Sequence, residues 1–340
     1  MSKIQEKITM KSGIRFKQLT EDFMVIGEEI TITKISPQTY QQWLAFAEDS
    51  LQDMTKQDPY ANPKVDANRL LQFVTQKSKG TIIAFSDTLL TENESALLSQ
   101  YLVRRCEGEP IAYILGEQDF WSLNLEVSPD TLIPRPDTEI LVEKALEFAK
   151  FRLNSPHFSG ELAILDLGTG TGAIALALAA ELAPISQKCG AKLRILGVDL
   201  TNGAVELAKR NALRNQLPQV EFLQSNWFEQ LENRQFDIIV GNPPYIDRQD
   251  EHLALGDVRF EPLTALVAED SGYADLRHII ERAPFHLKHQ GWLILEHGWQ
   301  QGQKVRSIFN EFSQNYWQQV ATMKDYGDNE RITLGCWNKE

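Results

Sequence analysis

Three clusters of residues along the chain carry groups suited to chemistry. The first is Asp166-Leu167-Gly168-Thr169-Gly170-Thr171-Gly172-Ala173, which follows a strand-like run and opens a helix-like one. Glycines at such a turn let the backbone reverse sharply and come close to a ligand. Gly168, Gly170 and Ala173 satisfy the dinucleotide fingerprint G-x-G-x-x-G/A, although a tight strand–helix turn without ligand uses the same residues. The second is Asp199 in GVDL, at the end of the next strand-like run. A carboxylate there accepts hydrogen bonds from both hydroxyls of an unmodified ribose, which argues against a 2′-phosphorylated cofactor; an Asp at a strand end also caps a following helix. The third is Asn242-Pro243-Pro244-Tyr245, directly after FDIIVG. Two prolines stiffen the backbone, and Pro243 offers a carbonyl with no N–H. The Asn242 side-chain oxygen and the Pro243 carbonyl can together accept both hydrogens of a planar –NH2 group, and Tyr245 can stack on its plane. Such a nitrogen has a delocalised, weakly nucleophilic lone pair. Holding both N–H groups while aiming the nitrogen at an electrophilic methyl is catalysis by positioning and electrostatics, with the proton leaving to water afterwards.

These clusters need a scaffold, and the hydrophobic periodicity supplies one. From Leu162 onward short β-rich runs (LAILDL, LRILGVD, VEFLQ, FDIIVG, GWLILE) alternate with helical segments such as 172–183 and 203–214, the signature of an α/β, doubly wound parallel sheet. Ligands in such sheets bind beyond the carboxyl ends of the strands, where all three clusters fall. YWQQVATM and ERITLGCW can form an antiparallel pair at one edge. Upstream, Ser36-Pro37 reads as a cap followed by proline at the first helical position, with Trp43, Leu44, Ala47, Leu51 and Met54 at helical spacing. A second helix starts near Pro63, carries Ala67, Leu70, Leu71 and Val74 and stops at Gly80; Thr91 with Glu94 forms a capping box for a third. The organisation is an unassigned, loose extension over 1–36, a small helical domain over 37–115, a hairpin-like connector over 116–136 and a catalytic domain over 137–340, its first helix capped by Asp137.

The chain has 340 residues and a net charge of −13. That acidity disfavours broad grip on nucleic acid, which rests largely on Lys and Arg. The most apolar stretch, Ala173 to Ala180, is far short of the roughly 20 residues a bilayer demands. Cys106, Cys189 and Cys336 are widely spread and form neither a metal set nor a disulfide framework, in keeping with a reduced, cytoplasmic protein. No metal site is expected. His297 reads as a structural histidine, and Asp325, Asp328 and Glu330 as a solvated turn. In IPRPDTE, Arg135 and Glu139 can shape a substrate entrance between the domains, but loop punctuation and helix initiation account for the segment by themselves.

Asp166–Gly172, Asp199 and Asn242–Tyr245 resemble the motifs of S-adenosylmethionine-dependent amino-methyltransferases. GEPIAYILG (108–116), FWSLNLEVSPDTLIPRPDTE (120–139), GDVRFEPLTAL (256–266), LILEHGWQQG (293–302) and DYGDNERITLG (325–335) are more particular. Together they resemble the bacterial release factor glutamine methyltransferases over about residues 38–340. The resemblance implies a Rossmann-like class I methyltransferase domain with an N-terminal helical, substrate-binding domain. It implies transfer of a methyl group from S-adenosyl-L-methionine to the side-chain amide nitrogen (N5) of the glutamine in the GGQ motif of class I peptide chain release factors, a modification of translation termination. The short apolar stretches and the charge of −13 leave no membrane and no stable nucleic-acid partner expected. Gly168, Thr169, Gly170, Thr171 and Gly172 would wrap the methionine part of the donor, Asp199 its ribose and Trp227 its adenine, with Asn242 touching both donor and substrate; Asn242, Pro243 and Tyr245 would be catalytic, and Pro244 would join them in holding substrate. The family pattern commonly has an acidic residue before that tryptophan; here it is Asn226, whose amide can still accept from an adenine amino group. Three alternatives stay open on the residues: a ribosomal-protein glutamine methyltransferase, an adenine-N6 or cytosine-N4 nucleic-acid methyltransferase, and a nucleotide-binding module linked to NAD.

Overall fold

The computed structural model describes residues 38–56, 58, 61–155, 158, 160–312 and 316–338, together with the backbone of ten earlier residues. Those ten form β1 (Ile8–Thr9), β2 (Phe23–Ile26) and β3 (Glu29–Ile32), an antiparallel sheet in the order β1-β3-β2, where the sequence suggests only a loose extension. The rest of the 1–36 segment lies outside the described residues. The chain divides into two compact units, one of residues 1–115 with Ala254–Asp257, the other of residues 116–253 and 258–340.

In the first unit, Ser36 and Pro37 lie outside the described residues, and the first helix starts later than they suggest. It is α1 (Tyr40–Leu51), with Thr39 and Gln42 forming a reciprocal capping box. Met54 falls in the 3-10 turn after it. Helix α2 (Pro63–Thr75) is capped by the Asn62 side chain and ends at Gln76, in the left-handed conformation (φ 55°). The expected stop at Gly80 is therefore wrong: Gly80 lies inside α3 (Lys79–Ala84), because Gln76 had already broken the helix. Helix α4 (Glu92–Cys106) has the expected Thr91–Glu94 box, and α5 (Ile111–Leu115) follows. Trp43, Leu70, Leu71 and Leu98 are buried together, each such side chain contributing about 1.5–3 kcal/mol. Arg105 is buried among them; its guanidinium donates to Asp66 (2.7 Å) and to Asp257 (3.1 Å), which binds the returning 254–257 segment to this unit.

The second unit begins with an antiparallel hairpin, β4 (Glu117–Phe120) and β5 (Leu123–Glu126). Helix α6 spans Glu139–Leu153. Asp137 does not cap it; Pro136–Thr138 forms a 3-10 turn, and the Asp137 carboxylate pairs with Arg331 instead (3.3 Å). The sheet then builds up from β6 (Glu161–Leu167), β7 (Lys192–Asp199), β8 (Glu221–Gln224), β9 (Phe236–Gly241), β10 (Leu287–Glu296), β11 (Trp317–Lys324) and β12 (Glu330–Trp337) in the order β11-β12-β10-β9-β6-β7-β8. The strands from β10 to β8 are parallel, while β12 runs antiparallel to both β10 and β11. Helices α6, α7 (Ala173–Cys189) and α8 (Asn202–Arg214) cover one face, packing on Ile164, Ile238 and Ile294. A single turn, α9 (Glu269–Gly272), leads into α10 (Ala274–Arg282), which with α11 (Gly302–Glu311) covers the other face on Leu165, Ile239 and Leu293. Alternate residues of each central strand thus feed two cores, which is why these strands read as unbroken apolar runs. Helix α7 continues past Pro184, where the sequence suggests an end, and stops at the left-handed Gly190. Strand order reverses between β6 and β9, and the crevice beyond their carboxyl ends is the topological switch point.

Candidate active site

A cavity of roughly 220 Å³ opens at that switch point. The loop leaving β6 supplies Gly168, Thr169, Gly170 and Thr171, the end of β7 supplies Asp199, the segment after β8 supplies Asn226 and Trp227, and the end of β9 supplies Asn242 and Pro244. The fold therefore brings most of the sequence-derived candidates to one place. Gly172, Pro243 and Tyr245 do not line the cavity. Gly172 is at φ 84°, and a Cβ there would come within 3.2 Å of Leu176, Ala208 and Phe222; its place in the run is close packing of α7 onto α8 and the sheet.

The loop is held from beneath. The Thr169 hydroxyl donates to Asp166 Oδ2 (2.6 Å), as does the Ala175 N–H (3.2 Å), while the Thr169 N–H reaches the Val198 carbonyl (2.9 Å). Asp166 is wholly buried, and burial pushes its carboxyl up to about 7, with the nearby Asp199 charge adding to the shift. Its Oδ1 has no partner among the described residues. Asp199 serves two neighbours at once. Its Oδ2 accepts from the Gly170 N–H (3.0 Å) and its Oδ1 from Thr201 at the start of α8 (3.0 Å), so it joins the glycine loop to the next helix at the cavity wall. The helix cap itself is Thr201.

Trp227 is in the left-handed conformation (φ 47°) and packs partly on the second core while facing the cavity, so wall and core packing are both true of it. Its side chain lies beside Asp275, whose carboxyl burial pushes up and Trp227 pulls down. The Asn226 amide nitrogen donates to Glu229 (2.9 Å), which leaves its oxygen as the group available to a ligand.

The Asn242–Tyr245 corner is gripped on every side. The Asn242 amide nitrogen donates to the Thr138 hydroxyl (3.3 Å). The Tyr245 hydroxyl donates to Glu296 Oε1 (3.3 Å), and the Tyr245 carbonyl accepts from the Gln301 side chain (2.9 Å). Gly272, at φ 86°, lies so close that a Cβ there would sit 2.2 Å from the same carbonyl oxygen. Ile246 then bridges to the 266–268 segment through two backbone hydrogen bonds. Burial drives the Tyr245 phenol above its ordinary range, with Glu296 adding to the shift, so it stays a neutral donor.

The matching family models are a methyltransferase domain, over residues 158–334, and the PrmC N-terminal domain, over residues 42–116. The chain is 63% identical over 300 residues to the release factor glutamine methyltransferase of Pasteurella multocida, covering 88% of this chain and 99% of that one. The chain belongs to the release factor glutamine methyltransferase family. Its likeness to the family's Haemophilus influenzae member is 61% (88% and 99% covered), and to that of Escherichia coli K12 51% (87% and 98%). The cavity of this methyltransferase has walls that the three clusters do not announce. Thr131, Leu132, Pro134 and Arg135 line the cavity from the connector, and Thr138, Thr264, Ala265 and Asp275 complete it. The Arg135 guanidinium pairs with the buried Glu261, which also accepts from the Ile133 N–H (3.0 Å), so the two loops are tied together. Glu139 accepts from the Trp121 N–H (2.9 Å), a structural role. His297 is structural as well, buried between the Gly298 carbonyl and the Thr333 hydroxyl (both 2.8 Å). Asp325 departs from expectation: it is buried rather than solvated, accepting from the Gly327 and Asn329 N–H groups and from Arg331. Asp328 and Glu330 pair with Lys324 and Arg306.

Proposed function

We propose that this methyltransferase transfers a methyl group from S-adenosyl-L-methionine to the side-chain amide nitrogen of the glutamine in the Gly-Gly-Gln tripeptide of class I peptide chain release factors. The observation that carries the reading is the shared cavity: glycine loop, strand-end Asp199 and the Asn242 corner meet at one switch point, in a chain 63% identical to a release factor glutamine methyltransferase.

The residues present fit the donor. Asp166 leaves a buried oxygen unpartnered beneath the glycine loop, and Asp199 retains lone pairs toward the cavity beyond the bonds it already makes. Gly168–Thr171 would hold the methionine part, Asp199 the ribose hydroxyls, and Trp227 with the Asn226 oxygen the adenine. When bound, the donor supplies a methyl carbon made electrophilic by a positive sulfur. The Asn242 side-chain oxygen and the Pro243 carbonyl would accept the two N–H groups of the glutamine carboxamide, and Tyr245 would lie against its plane. Two fixed acceptors orient the nitrogen and favour the positive charge that grows on it during attack. No base is needed before attack; the surplus proton leaves to water. The helical domain, 37–115, would engage the body of the release factor, in keeping with its match to the PrmC N-terminal domain.

Incubation with methyl-labelled S-adenosylmethionine and a release factor tests the reading. Label is expected on the glutamine and is lost from a Gln→Ala release factor; label persisting on that variant would overturn the assignment.

A further inference from the structure

Glu296, at the last position of β10, lies outside the cavity lining, yet it sits where two hydrogen-bond chains end. Tyr245 donates its phenolic proton to Glu296 Oε1 (3.3 Å). Arg331 lies beside the Tyr245 oxygen and, against burial, lowers its pKa, and a guanidinium has donors only. That chain therefore runs one way, from Arg331 through Tyr245 to Glu296. The second chain starts at the corner's other functional residue. Asn242 Nδ2 donates to the Thr138 hydroxyl (3.3 Å), and that hydroxyl, its own proton still to give, lies beside the Glu296 carboxyl and favours its charged form. A hydroxyl has one proton. If Thr138 gives it to Glu296, its oxygen must accept from Asn242, and only the NH2 end of the Asn242 amide can donate. The Asn242 oxygen is then the end left for substrate.

We infer that Glu296 is a positioning residue of this methyltransferase: as the common acceptor of both chains it sets the direction of the Asn242 amide and of the Tyr245 hydroxyl, so that the corner presents an acceptor to the carboxamide N–H. The inference rests on the proposed methyl transfer to a glutamine amide and adds to it the device that fixes the amide's sense. Without a pure acceptor at 296, Thr138 is free to donate to Asn242 Oδ1. The amide then turns over and shows its NH2 to the substrate's NH2, donor against donor.

Three charged or titratable groups face Glu296: Tyr245 from the corner, Arg331 from β12 and Asp137 from the turn before α6. Arg331 is itself held by Asp325 and Asp137. Burial pushes the Glu296 carboxyl up to about 7; Thr138, Arg331 and Tyr245 pull it down and Asp137 pushes it up further. Its Oε2 has no partner among the described residues, so no further donor holds the carboxylate in its charged form. Above about pH 7 the carboxylate only accepts and both chains keep their direction; below it the carboxylic acid can donate and the direction is lost.

The test uses the full-length enzyme, labelled S-adenosylmethionine and a release factor. E296Q preserves shape but supplies a donor as well as an acceptor. It is expected to lower kcat by about tenfold or more, as a lost transition-state hydrogen bond does, while S-adenosylhomocysteine binding by calorimetry stays within about twofold. Wild-type kcat is expected to rise through about pH 7 and E296Q to lack that rise. T138V, which breaks the chain without touching Glu296, behaves like E296Q, and T138S restores the wild-type rate and profile. Wild-type kcat and pH profile in E296Q would overturn the inference. So would a T138S enzyme as impaired as T138V, and this arm decides the matter if E296Q fails to fold. Failure of the wild-type enzyme to label the release factor glutamine refutes the proposed function itself, a result separate from any difference among the variants.

Discussion

The two ends of the central sheet handle buried carboxylates in opposite ways. At the amino end, Asp237 of β9 is saturated: it accepts from the Ala163 N–H (2.8 Å), Lys288 (2.6 Å) and Arg152 (3.1 Å), tying β6, β9, β10 and α6 together. At the carboxyl end, Asp166 and Glu296 are equally buried, yet each has an oxygen without a partner among the described residues, and both are pushed up to about 7. A buried charge without full compensation is costly. One end of the sheet is thus built for cohesion, and the other leaves buried carboxylate oxygens unpartnered near the candidate site.

The largest effect expected from this contrast is on catalysis at the carboxyl end. N242A removes the side-chain acceptor and is expected to lower the initial rate of release factor methylation by roughly 10²–10³-fold; a variant keeping more than a tenth of the rate would break the distinction between the two ends. Next comes stability at the amino end. D237A leaves Lys288 and Arg152 facing a low-dielectric site without their partner and is expected to cost about 3 kcal/mol, read by calorimetry, with turnover per folded molecule unchanged. A smaller effect falls on the donor alone. D199N exchanges a charged acceptor for a neutral one and should weaken S-adenosylhomocysteine binding by about tenfold, the scale of one charge-assisted hydrogen bond, measured by titration calorimetry.

The smallest effect is the pH dependence of stability. Asp166 and Glu296 titrate near 7 in the folded chain and in the ordinary carboxylate range when unfolded. Between those limits the native state holds protons that the unfolded chain has released. This contribution to stability is complete below the ordinary carboxylate range and is lost as pH rises through about 7. E296Q has no charge to bury, so its melting temperature should gain on wild type between pH 5 and pH 8. An unchanged difference at the two pH values would show that Glu296 is compensated after all.

What was legible in the sequence is what is local. The strand–glycine loop, Asp199 and the Asn242 corner each lie within a few consecutive residues, and strand alternation placed them at one sheet edge. The walls are not local. Thr138, Thr264 and Asp275 reach the site from three separate elements, and nothing in their immediate neighbours marks them. The same reason explains the errors. Asp137 looks like a helix cap until Arg331, from the far end of the chain, takes its carboxylate. Asp325 looks solvated until the hairpin turn folds two N–H groups and the same arginine onto it. Gly172 belongs to the glycine run by pattern, but its contacts are with side chains of α7, α8 and β8.

Strand β12 is threaded between β10 and β11, and it brings Arg331 to the Tyr245 hydroxyl. A polypeptide interrupted after β11 would still contain all three clusters, from the glycine loop to the double proline. Its sheet would end in an open slot, and its tyrosine would have lost the cation beside it. The corner therefore depends on β12, so a product truncated after β11 should bind the donor yet make poor use of it.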